Sequence, residues 1–535
     1  MRRWNGWGDD DIAYPLSAAA LAFLEGVLGP PRPGPTTPWA VALAQVPASR
    51  LRSDHPLVST DAAVRLRHAR GQSLPDWVAL RWNAIPRHPD GVAFPTDEAD
   101  IEALFAFARR TGACLIPYGG GTSVVGHINP PTDERPVLTV AMSRMTRLLH
   151  LDETDRLATF AAGVNGPHLE AQLRAHGYTL GHFPQSFEYS TLGGWIATRS
   201  SGQQSLYYGR IEDTFAGGRL LTPVGPIELP PFPASAAGPD LRHLVLGSEG
   251  RLGILTQATM RVRPLPEAEE FHAVFFPTWE AGLTAIRALV QAGVRLSMLR
   301  LSDPVETATT LVLAGHARLI GLLERLLRHR GVGEGKCLLV FAVTGRADEV
   351  KTQRRVAIAV AQTQGGVHVG RRMGQEWRKS RFRTPYLRNT LWDHGYAVDT
   401  LETALPWSAL PAAHQGILTA LTEAAASWGE RVHAFAHVSH LYPTGAALYV
   451  TCLFRLRPDP EQTLAFWQDL KAAASRAILT YGGTISHQHG VGSDHLPYLA
   501  AEKGETGLRM LAALARTCDP DGMMNPGKLL PDEHP

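Results

Sequence analysis

Three glycine-bearing segments of the 535-residue sequence place backbone N–H groups where they could bind a ligand. They are PYGGGTS at 117–123, STLGGW at 190–195 followed by TRSS at 198–201, and GSEGRLG at 247–253. Glycine lets consecutive N–H groups converge on phosphate oxygens with no Cβ in the way, and adjacent Ser and Thr hydroxyls add donors. Each segment alone could be a tight turn; together they describe a pyrophosphate cradle. Two other nucleotide-binding patterns are not met. GGGTSVVG lacks the GxGxxG spacing, and GVGEGKC around Lys336 lacks the first glycine of a P-loop. A second group is titratable: His487 and His489, flanking Gln488, which cannot titrate, with His437, His440 and His495 elsewhere in the same part of the chain. The HxH spacing is that of a metal site, but Gln488 hydrogen-bonds without supplying an anionic ligand, so no metal is expected.

The elements that must position these residues are legible in the patterning. In AFPTDEADIEALFAFARRTG, Thr96 reads as an N-cap, acids fill the first turn, and Ile101, Leu104, Phe105 and Ala108 recur at helical spacing before Gly112. CLIPYGGGTSVVG then reads as a short buried strand running into the first glycine loop. Strand-like VLTVAM and ATFAAGV, a helix from Gly166 to Gly177 and the Gly/Ser-rich stretch from Gly193 to Gly209 follow, and the unit closes near ILTQATMRVRPLP. Before it lies a Pro-rich segment with helical candidates at Leu16 to Leu28 and Asp61 to Arg70. After it, strands such as HAVFFP, LLVFAV and LYVTCLFRLRP alternate with helices around Asp348 to Gln362 and Pro460 to Tyr481.

Composition bounds the rest. A net charge of +2 gives no polybasic field for nucleic acid or anionic lipid, so the expected partner is a small or locally charged ligand and not a nucleic acid. No stretch approaches the ~18 uninterrupted apolar residues of a membrane span. Cys114, Cys337, Cys452 and Cys518 are single and far apart, which describes neither a disulfide framework nor a CxxC site and fits a cytoplasmic location. The opening MRRWNGWGDDDIAYP puts charge and Trp before any apolar run, so no export signal is expected.

The three glycine segments in this order closely resemble the para-cresol methylhydroxylase (PCMH) type FAD domain of the vanillyl-alcohol oxidase superfamily. Within it, RWNGWGDD, ARGQSLPDW, GHFPQSFEYSTLGGWIATRSSG, YGRIED, GPDLRHLVLGSEGRLGILTQATMRVRP, SMLRLSD, PYLRN, DTLETALPW and ISHQHGVG resemble the alkylglycerone-phosphate synthase family almost end to end. The resemblance implies an α+β chain with an N-terminal extension at 1–85. A PCMH-type two-subdomain FAD-binding domain follows at 86–267. Residues 268–535 form an α+β substrate (cap) domain of the FAD-linked oxidase C-terminal type, whose last segment completes the active site.

It also implies the contacts. Pro117, Tyr118, Gly119, Gly120, Gly121, Thr122 and Ser123 would hold FAD from the first loop. Gln185, Ser186, Ser190 and Thr191, with Gly193 and Gly194, would hold it from the second. Thr198, Arg199, Ser200 and Ser201 form a third contact, and Glu249, Gly250, Leu252, Gly253, Ile254 and Leu255 a fourth; His182 aligns near the flavin. Covalent relatives carry a His in the first loop where this chain has Thr122, so non-covalent FAD is expected. Arg388 matches the arginine for the anionic part of the substrate, and its fork of donors suits carboxylate or phosphate. Tyr449 matches the acid/base tyrosine, which would need a lowered pKa to take a proton. Thr400 aligns with a hydroxyl residue of the same site and Arg300 with an arginine of the family, while His487 and His489 would move protons.

The activity so implied is exchange of the acyl group of acyl-dihydroxyacetone phosphate for a fatty alcohol, through a flavin N5 adduct. The substrate would carry an acyl or alkyl chain, with peripheral contact to a membrane left open, and the enzyme would be a homodimer. Gln488 departs from the family's three consecutive histidines. That departure keeps a second reading in view, hydride transfer from a 2-hydroxy acid to FAD on the same scaffold, and a third, a non-catalytic flavin-binding subunit.

Overall fold

The computed structural model describes residues 1–52, 55–314 and 317–531. A four-stranded sheet runs in the order Val58–Ser59, Gly91–Ala93, Val137–Ala141, Cys114–Tyr118, its last three strands parallel. The crossover between Gly91–Ala93 and Cys114–Tyr118 is the helix Glu98–Thr111, which buries the anticipated Ile101, Leu104, Phe105 and Ala108. Its N-cap is Asp97 and not Thr96: the Asp97 side chain accepts the Asp100 N–H, while the Asp100 carboxylate reaches back to the N–H and hydroxyl of Thr96. Gly112 closes the helix in the left-handed region.

A five-stranded antiparallel sheet follows, in the order Leu148–Asp152, Leu157–Ala161, Ile254–Arg261, Phe215–Thr222, Gly225–Leu229. The third sheet has seven strands, in the order Val367–His368, Ala268–Phe276, Cys337–Gly345, Met298–Ser302, Val432–Tyr442, Gly445–Arg455, Tyr396–Pro406. All nine residues of Cys337–Gly345 are buried, the mark of a strand covered on both faces. The neighbouring Ala268–Phe276 shows how: Phe271, Ala273 and Phe275 enter one core while Val274 and Phe276 enter the other. The helices Trp279–Gln291, Leu410–Ser427 and Pro460–Thr480 cover the larger of these cores.

Both ends of the chain pack far from their sequence neighbours. Trp7 lies in the same core as Trp77, Tyr386 and Trp392, and Asn389 donates to its carbonyl and accepts its N–H. At the other end, Met523 and Met524 join the core of the four-stranded sheet, Met524 bridging to Leu115, and Ala515, Cys518 and Leu530 join that of the five-stranded sheet. No helix among the described residues is long and apolar enough to cross a membrane.

Candidate active site

The three glycine segments converge. A Cβ on Gly119 would stand 2.2 Å from the Thr191 hydroxyl oxygen, and one on Gly120 only 1.9 Å from the Tyr189 carbonyl oxygen. The first loop therefore closes on the second at a distance only glycine permits. The third segment joins them through Gly250, whose Cβ position lies 3.0 Å from the Pro117 ring. Among the described residues, the N–H groups of Gly120, Gly121, Thr122 and Ser123 meet no acceptor. The Oγ of Ser201 and the Nδ1 of His182 are also sealed from solvent without a partner. Orphaned donors at a glycine loop fit the phosphate oxygens of a dinucleotide.

Several neighbours are engaged elsewhere. Thr191 caps the helix Leu192–Thr198, Thr198 donates back to the Gly194 carbonyl, and Arg199 ends the helix with positive φ. Ser190 accepts the indole N–H of Trp195 and donates to the Ser186 carbonyl; Ser200 Oγ lies 3.2 Å from His182 Nε2. Gln185, Ser186, Gly193 and Gly194 are part-buried around the same turn. Leu252, Ile254 and Leu255 send their side chains into hydrophobic cores, leaving backbone for any ligand contact. The Glu249 carboxylate is used by the C-terminal part of the chain: it accepts the N–H groups of Val491 and Gly492 at 2.6 and 2.8 Å, while Asn525 donates to its carbonyl.

The titratable cluster gathers on the three strands at one side of the seven-stranded sheet, Val432–Tyr442, Gly445–Arg455 and Tyr396–Pro406, with the segment 486–489 laid against them. Glu402 pairs directly across from Tyr449, and Tyr449 directly across from His437 on the other side. Tyr449 stacks on His437 with ring centroids 5.0 Å apart, meets His489 edge-on at 5.8 Å, and hydrogen-bonds Thr400. Burial raises its pKa to about 12, so the phenol holds its proton, contrary to the lowered value expected from its role. The strand Val432–Tyr442 bulges between Ser439 and Leu441, and His440, with a φ of 49°, turns its ring to 5.2 Å from that of His487.

Glu402, missed in the sequence, organises the histidine segment. Its buried carboxylate accepts the N–H groups of His487, Gln488 and His489 and the hydroxyl of Ser486, at 2.7 to 3.0 Å. Arg210, from YGRIED, holds the His487 carbonyl at 2.7 Å, and the Tyr442 hydroxyl stands 2.6 Å from His487 Nε2. Burial, more than any neighbouring charge, pushes His487 and His489 below the usual imidazole range, so both rings are neutral acceptors. Asp494, also unforeseen, has one carboxylate oxygen unpartnered, and burial raises its pKa to about 6.

Arg388 donates to the Gln72 carbonyl at 2.6 Å and lies over the Trp77 ring at 4.5 Å. Burial lowers its pKa to about 10, still charged at neutral pH, and it and Tyr449 sense each other's charge. Arg300 is set further back, in an ion pair with Glu306 at 2.7 Å and 3.1 Å from His437 Nδ1, so it reaches Tyr449 through the His437 ring.

A family described as FAD linked oxidases, C-terminal domain, matches residues 265–529, and one described as FAD binding domain matches residues 89–228. The alkyldihydroxyacetonephosphate synthase of Dictyostelium discoideum is 32% identical over 478 residues, covering 88% of this chain and 78% of that protein. A solved structure of alkyldihydroxyacetonephosphate synthase superposes with a TM-score of 0.82 at 28% identity, over 99% of each chain. That of p-cresol methylhydroxylase with substrate bound shares the fold, with a TM-score of 0.68 at 14% identity over 94% of this chain and 99% of the other.

Proposed function

Because the chain belongs to the alkyldihydroxyacetonephosphate synthase family, we propose that it exchanges the acyl group of acyl-dihydroxyacetone phosphate for a fatty alcohol, with FAD as a non-covalent cofactor. The observation that carries the reading is the linked set of Arg388 and Tyr449, which sense each other's charge, and His489, which meets Tyr449 edge-on at 5.8 Å with His487 on the same Glu402-held segment, in a chain that covers most of such a synthase.

The residues at the glycine loops fit FAD: the N–H groups from Gly120 to Ser123 would take its phosphates, and Ser201 and His182 would add side-chain contacts. When bound, FAD would supply an electron-poor ring to the reaction. Thr122 offers no imidazole for covalent attachment. Arg388, its guanidinium over the Trp77 ring, would anchor the phosphate of the substrate. Tyr449, protonated at neutral pH, would donate to the departing acyl oxygen. The neutral imidazole of His489, turned toward Tyr449 and fixed by Glu402, would accept the proton lost from substrate or incoming alcohol. Thr400 orients the phenol, and Arg300 with Glu306 holds the His437 ring against it. Four buried, unbridged cysteines support a cytoplasmic location.

Purified protein given an acyl-dihydroxyacetone phosphate and a long-chain alcohol should form the alkyl product and free fatty acid with no oxygen consumed. Rapid anaerobic bleaching of the flavin by lactate or glycolate, with no alkyl product from the ester, would replace this reading with hydride transfer from a 2-hydroxy acid.

A further inference from the structure

Beside the first glycine loop, on the side of the N-terminal segment, lies a half-open cavity of about 200 Å³ whose wall includes Arg2, Arg67, Arg70, His68, Tyr118 and Gly121. Arg2 donates to the Gly120 carbonyl at 2.5 Å and lies 4.8 Å over the Tyr189 ring. Arg67 donates to the Arg2 carbonyl at 3.0 Å and covers the Trp39 ring at 4.5 Å. Arg70 reaches the Arg87 carbonyl at 3.5 Å, and its Nε is sealed from solvent without a partner. Among the described residues none of these three guanidinium groups is paired with a carboxylate. Asp76, the acid whose charge reaches Arg70, already accepts the N–H and hydroxyl of Ser73.

Three guanidinium groups gathered in one half-buried space, with the charge of Asp76 reaching Arg70 but no carboxylate paired to any of them, are costly unless an anion enters. Guanidinium forks match phosphate oxygens, and at ~30 Å³ per water the cavity has room for one or two phosphate groups. It opens beside the loop whose N–H groups lack acceptors, and Gln72, which also lines it, accepts from Arg388. We propose that Arg2, Arg67 and Arg70 form a phosphate-binding site for an organic phosphate, reached by either the cofactor's pyrophosphate or the phosphate of the substrate. The inference rests on the reading of the chain as a flavoenzyme acting on a phosphorylated ketone, and its test does not depend on turnover.

The test uses the FAD-loaded enzyme and the variants Arg70→Met and Arg67→Met, which keep most of the stem volume, with Arg2→Gln near the chain end in case either fails to fold. One arm follows FAD release on dilution by the rise in flavin fluorescence; the other measures dihydroxyacetone phosphate binding by calorimetry. Losing a charge-assisted contact should cost roughly tenfold or more in one arm. Faster FAD release with unchanged ligand binding supports the site and assigns it to the cofactor. Weakened ligand binding with unchanged FAD release supports it and assigns it to the substrate. Folded variants, Arg2→Gln included, that match wild type in both arms overturn the proposal. Failure to form alkyl product would refute the synthase reading and leave both arms readable.

Discussion

The carboxylate of Glu402 accepts the backbone N–H of His489 at 2.9 Å and lies 3.5 Å from Nδ1 of the same residue. One buried acid thus fixes both the backbone and the ring position of the imidazole that faces Tyr449. Glu402→Gln keeps the shape but converts one acceptor oxygen into a donor opposite N–H groups. Turnover should fall at least tenfold and stability by about 2–3 kcal/mol, with FAD retained. Steady-state kinetics and urea unfolding measure the two effects; unchanged kinetics would show that the histidine segment holds its shape without Glu402.

Tyr449→Phe preserves stacking on His437 and removes the one proton the phenol holds. The rate should drop roughly 10²-fold or more while FAD content and substrate binding stay as in wild type. Because burial raises this pKa to about 12, the pH–rate profile should show no alkaline limb from Tyr449 below about pH 11.

Arg388→Lys replaces a planar fork over Trp77 with a point charge. KM for the phosphorylated substrate should rise about tenfold with kcat little changed, since the anchor acts equally in ground and transition states.

Gly120→Ala should already abolish FAD retention, because the added carbon meets the Tyr189 carbonyl and forces the first two loops apart. Absorbance at the flavin band after gel filtration reads it. A yellow Gly120→Ala protein with normal flavin content would show that the loops separate freely.

His182 and His440 are held neutral, burial lowering each pKa to about 3. Above pH 6.5 both folded and unfolded chains carry these rings uncharged, and neither affects stability. As pH falls from 6.5 towards 3 the unfolded chain takes up protons that the folded one refuses, so stability declines through that window. Thermal unfolding at fixed ionic strength should show Tm falling from pH 7 to 5, and His182→Gln should flatten the slope.

How much of this was legible in the sequence depends on the range of the signal. The glycine loops and the helix bearing Ile101, Leu104, Phe105 and Ala108 declared themselves because their causes are local. The choice of Thr96 over Asp97 as cap failed for the same reason: both residues hydrogen-bond near the helix start, and only the backbone decides which caps. Glu402 left a faint trace, an acid two residues from Thr400 on the same face of a strand, but its four donors come from residues more than eighty positions away. Tyr449 was found by resemblance, whereas its raised pKa comes from burial by distant elements. The contacts of Arg2 with Gly120 and of Trp7 with Asn389 could not be read at all, since patterning within the first 85 residues says nothing about partners more than a hundred positions on.

The use of Glu249, Leu115 and the five-stranded core by residues beyond 490 sets an order of events during synthesis. When the ribosome has made residue 267, every glycine loop exists, but the partners of Glu249 at Val491 and Gly492 and the strand-end bridge from Met524 do not. The cofactor half at that stage therefore lacks the contacts that the last helix and the turn after it supply. A chain truncated before Val491 should keep all its phosphate-binding loops and lose the contacts that tie Glu249 and Leu115 to the C-terminal segment.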